Sequence, residues 1–144
     1  MDVSDLRKRI LRALDDARKD AAARRQDADE AAKAYDVFLT AIAAPMMRQA
    51  AQVLNATAES FSVHTPGGSV RLASDHSPET FIEFVLQAGP DRSEVVGRVS
   101  VARGRQRQVV EERPIVEGKP VTALTEEDVS TFLVGEIPKL VVRR

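Results

Sequence analysis

Residues 2–36 carry nine basic and nine acidic side chains and many alanines, with neither glycine nor proline. Such a segment favours helix and has little to bury. It reads as one long solvated helix, with Ser4 as N-cap before Asp5. Acid-first pairs four residues apart (Asp5/Arg9, Asp15/Lys19, Asp20/Arg24, Asp29/Lys33) support it. Steps of alternating three and four residues link Ile10, Leu14, Ala17, Ala21, Arg24, Ala28, Ala31, Tyr35, Phe38 and Ile42, a heptad seam interrupted by one arginine. Helix from Ser4 to Ala44 would measure roughly 60 Å, longer than a domain of this size can cover. Its first half is therefore expected to need a partner helix, most simply a second copy. Ile10, Leu14, Ala17, Ala21, Ala28, Ala31 and Tyr35 are the candidate dimerisation residues.

Charge density falls abruptly near Asp36. The expected organisation is a charged helical extension, forming a coiled coil, over 1–36 and a single α+β domain over 37–144. Pro45 removes a backbone donor and disfavours helix at Ala44, which predicts a kink before the apolar face of Met46, Met47, Ala50, Val53 and Leu54. From Ser60 the apolar period changes to two, beginning with Phe61 and Val63. Thr65-Pro66-Gly67-Gly68 suits a type II turn with Gly67 third, followed by Val70 and Leu72. Strands over about 80–87, 94–102 and 106–115, separated by turns at Gly89-Pro90-Asp91 and Gly104, complete an antiparallel meander of four or five strands. Thr125 before Glu126-Glu127-Asp128 starts a C-terminal helix, kinked by Pro138, whose stripe of Val129, Phe132, Leu133, Ile137, Leu140 and Val141 should cover the sheet.

A length of 144 residues suits one core, and aromatics at 4% make that core aliphatic. A net charge of -1 argues against binding nucleic acid or anionic membranes through bulk charge. Zero cysteine excludes disulfide scaffolds, thiolate zinc sites and cysteine nucleophiles, and fits a reducing compartment. No apolar run of signal-peptide length opens the chain, so the cytoplasm is the expected location. The stretch Val37–Ala58 could span a bilayer by length, yet it carries Arg48, Gln49, Gln52 and Asn55. It is expected to be buried in protein, with no membrane partner.

The search for chemistry yields little. His64 and His76 lack the partners of a metal-binding motif, no G-x-S-x-G occurs, and Thr65-Pro66-Gly67-Gly68-Ser69 lacks a phosphate-loop lysine and leads into a strand. No cofactor, metal or catalytic residue is expected. The one local charge imbalance is Arg98, Arg103, Arg105 and Arg107. With Val99 and Val101 facing the core, Arg98 points outward beside His64, Arg71, Phe81, Glu83 and Val85. The candidate binding residues are accordingly Arg71, Arg98, Arg103, Arg105, Arg107, Phe81 and His64. Guanidinium groups there could hold phosphates, carboxylates or an acidic partner, while arginines at a hairpin tip also simply solubilise it. The favoured expectation is a non-catalytic interaction or adaptor module, self-associating and binding an unidentified protein. The alternatives are a nucleic-acid-binding regulator using the arginine-rich hairpin, a less favoured partner, and a small-molecule binder or unrecognised enzyme.

Overall fold

The computed structural model describes residues 2–89, 92–104 and 107–142. Helix α1 (Val3–Phe38) passes through a π-helical turn (Leu39–Ala43) into α2 (Ala44–Ala56). Five strands follow: β1 (Phe61–His64), β2 (Val70–Ser74), β3 (Phe81–Ala88), β4 (Ser93–Ala102) and β5 (Gln108–Pro114). A 3-10 turn (Val121–Ala123) then leads into α3 (Glu126–Val141). The strands pair in chain order as one antiparallel sheet, so the architecture is the α+β meander that the periodicity predicts.

Local chemistry accounts for the element ends. Asp2, not Ser4, caps α1, because its carboxylate reaches the Ser4 N–H at 3.4 Å. Ser4 therefore lies inside the first turn, and of the expected ion pairs Asp15–Lys19 closes at 3.1 Å. The hairpin turn falls one residue later than expected: Ser69 N–H donates to the Pro66 carbonyl at 2.9 Å, and Gly68 takes the positive φ of 76°. At α3, Thr125 accepts from the Asp128 N–H while Asp128 accepts from the Thr125 N–H, a reciprocal capping box. Lys119 Nζ, 2.5 Å from the Asp128 carboxylate, joins that cap. It holds the carboxyl below its usual range.

The helix runs on through Pro45, and the expected kink is not confirmed. Ala44 keeps helical torsions of φ −63° and ψ −46°, and its N–H reaches back five residues to the Leu39 carbonyl. Proline deletes one N–H and crowds the carbonyl four residues earlier. Opening the preceding turn to a five-residue repeat moves that carbonyl out of register, so the helix accommodates the proline.

One sheet face forms the core. Phe61, Val70, Leu72, Ile82, Phe84, Val95 and Val99 join Phe38, Met47 and Leu54 from the first helices and Val129, Phe132, Leu133 and Leu140 from α3 in one buried cluster. The apolar side of the long helix segment around Pro45 is spent here. Phe84 stands 6.3 Å from Phe38 and 5.7 Å, edge to face, from Phe132. Phe132 lies directly on Gly97, where an added Cβ would come within 2.2 Å of its ring.

Tyr35 corrects the expected dimer seam at its C-terminal end. It is buried against its own sheet, its hydroxyl proton shared between the carbonyls of Gly68 (2.7 Å) and Phe84 (3.0 Å). Phe38, the next position on that seam, is likewise in the intramolecular core, and Ile42 packs against it partly buried.

Two predictions follow from this packing. Gly97→Ala should destabilise the fold by about 1–3 kcal/mol, because Phe132 is held by Phe84 and cannot yield, as read from urea denaturation. Burial, reinforced by the charges of Glu83 and Asp36, pushes the Tyr35 phenol up to about 12. The chain has one tyrosine and no tryptophan, so absorbance at 295 nm reports this group alone. An unfolded tyrosine ionises near pH 10, so the stabilisation from the protonated phenol is complete below that pH and is lost as pH rises to about 12. The titration should come near pH 12, or coincide with alkaline unfolding, and a midpoint near 10 in folded protein would refute it.

Candidate functional site

The outer face of the sheet carries a cross-strand row that follows from register. Ile82 and Phe84 face the core, so Glu83 faces outward. Strand pairing sets His64 opposite Arg71, Arg71 opposite Glu83, Glu83 opposite Arg98 and Arg98 opposite Glu112. Glu83 accepts from Arg71 Nε at 3.0 Å, Arg98 Nη1 at 3.3 Å and Ser69 Oγ at 3.2 Å. Arg98 Nε also donates to Glu112 at 2.8 Å. The Arg71 guanidinium lies 4.0 Å from the centre of the Phe81 ring.

The structure thus brings His64, Arg71, Phe81 and Arg98 onto one face. It also changes their meaning. Phe81 and Glu83, expected as open surface, are only 7% and 3% exposed. The Arg71 guanidinium sits over the Phe81 ring, and the guanidiniums of Arg71 and Arg98 are engaged with carboxylates. The row is close to charge-balanced and makes a folded polar surface more than a bare cationic one.

Arg103 and Arg107 are exposed at the β4–β5 connection, where the Arg103 N–H donates to the Arg107 carbonyl at 2.8 Å and Gly104 has φ 68°. Arg105 lies outside the described residues. The connection leads into β5, an edge strand whose Val109, Val110, Glu111 and Glu112 are exposed. Charges on such an edge oppose strand addition.

His64 is exposed at the end of β1, and His76 lies in the β2–β3 loop. Between them, Asp75 accepts hydrogen bonds of 2.6 Å from both Ser60 and Ser62, which lower its carboxyl below the usual range. Among the described residues, no three His, Asp or Glu side chains gather into a group that could hold a metal ion. An open depression of about 400 Å³ near the π turn includes Asp36, Thr40, Arg48, Thr65 and Ser69 in its lining. Neither Arg71 nor His64 lines it.

Sequence reasoning missed Glu136, a carboxylate on α3 only 2% exposed. It pairs with Arg113, whose guanidinium lies 5.0 Å from the Phe132 ring centre, and with Lys139 Nζ at 3.0 Å. The Glu136–Lys139 spacing is visible in sequence, but Arg113 reaches α3 only through the sheet.

The remaining surface is the overhanging part of α1. Val3, Leu6, Ile10, Leu11 and Leu14 are 45–81% exposed. Ala17 and Ala28 are exposed as well, and Ala21 and Ala31 are half-covered. Ala34 is the first position in this helix that packs against the buried cluster, followed by Tyr35 within it. Comparison with family models, with curated proteins and with solved structures finds no match for this chain.

The Glu83 row makes an asymmetric prediction. Arg71→Ala with Arg98→Ala strands a buried carboxylate and should cost about 3–5 kcal/mol. Glu83→Gln leaves two guanidiniums that can turn to water, at a cost of about 1 kcal/mol. Chemical denaturation of the three proteins checks the order, which equal losses would contradict.

Proposed function

We propose that this chain is a non-catalytic protein-interaction module, homodimeric through its N-terminal helix. The observation that carries this reading is the overhang of α1, about 40 Å of helix with Leu6, Ile10 and Leu14 in solvent. Propensity and ion pairs favour this helix but leave it marginal in water, and a packed partner supplies what is missing. Residues 2–36 have equal numbers of acids and bases, so a second copy meets no net repulsion. The sheet face and exposed hairpin remain available for another protein.

The nucleic-acid reading has weaker support, because Arg98 is already engaged by Glu83 and Glu112. Light scattering during size-exclusion chromatography should give twice the chain mass of 15.8 kDa. Ile10→Asp with Leu14→Asp should give the monomer mass with an unchanged urea midpoint for the sheet. A monomeric wild-type chain at high micromolar concentration would overturn the reading.

A further inference from the structure

The overhang also carries information about the orientation of its partner. At 100° per residue, Ile10, Ala17, Arg24 and Ala28 point within about 20° of the direction of Tyr35. Tyr35 points into its own sheet. The exposed stripe therefore runs along the same side of α1 as the domain body.

A parallel partner following that stripe would bring its own Tyr35 segment to the place where this sheet already stands. Its Arg24 would also face Arg24 across the seam, a like-charge contact in a narrow alanine-rich interface. An antiparallel partner avoids both. Its N-terminus approaches the body and ends there, while the second body lies at the far end.

The charges have the same polarity. Residues 2–19 contain six bases and four acids, whereas 20–36 contain three bases and five acids. Antiparallel pairing lays the basic half of each helix against the acidic half of the other. It also sets Leu6 and Ile10 against Ala32 and Ala28, with Ala17 against Ala21 at the centre, the large-against-small alternation that lets two helices approach closely, and it replaces the Arg24–Arg24 contact by Arg24 beside Leu14.

We infer that the occupant of this stripe is a second copy running antiparallel, with the two-fold axis near Ala17–Ala21 and the two sheets at opposite ends of a helical rod. This rests on the dimer reading above, and the test separates the two. The chain has no cysteine, so Ser4→Cys and Arg18→Cys each accept one nitroxide label on the otherwise intact protein. Each labelled variant is first sized by light scattering, then its label-to-label distance is measured by pulsed electron resonance.

Antiparallel pairing predicts about 45 Å between the Ser4 labels and a separation near the helix diameter, about 10–15 Å before label length, between the Arg18 labels. Short distances at both positions mean a parallel pair. That result overturns the orientation and leaves dimerisation standing. Long distances at both place the contact off this stripe and overturn the inference as well. A monomer overturns both it and the reading on which it rests.

Discussion

The Tyr35 hydroxyl joins the two regimes of this molecule. Its shared proton binds the end of a solvated helix to the β1–β2 turn through Gly68 and to the middle strand through Phe84. Beyond it the helix has solvent on nearly every side, whereas from Phe38 onward the chain is drawn into an aromatic line through Phe84 to Phe132. The phenol supplies a donor to one carbonyl at the exposed turn and to one buried under the helix. The direction of the whole overhang is set at this contact.

Much of the fold was legible because its signals are local. The change of apolar period near Ser60, the glycine turns and the Thr125 cap are each decided within a few residues, and they locate five strands and the last helix. The hairpin glycine was misassigned by one position because Gly67 and Gly68 both suit a turn, and only the Ser69–Pro66 hydrogen bond distinguishes them. Pro45 was hard to read for a different reason. The rule that proline breaks helices assumes a four-residue repeat, and this helix changes its repeat just upstream.

Side-chain partners were less legible than elements. Alternation placed Arg71, Glu83 and Arg98 on the outer face, but register alone decides that they stand side by side, and pairing then turns expected free cations into members of a charge row. Phe81 lost its apparent exposure to Arg71 in the same way. Glu136 and Arg113 are 23 residues apart and meet only when α3 lies across the sheet. No periodicity reports such a contact.

The π turn has a consequence beyond accepting a proline. Each residue of helix turns the chain by about 100°, so a loop widened by one residue works as a phase shifter between the segments it joins. The azimuth of the overhang relative to α2 is governed by the residue count from Leu39 to Ala43, not by the overhang's own side chains. With one residue fewer and an ordinary helical repeat, the apolar stripe would turn by about 100° relative to α2 and carry Tyr35 and Phe38, which lie upstream of the turn, off the sheet. The phase set by the turn thus serves two ends at once, seating Tyr35 and Phe38 on the sheet and fixing the side on which the stripe lies.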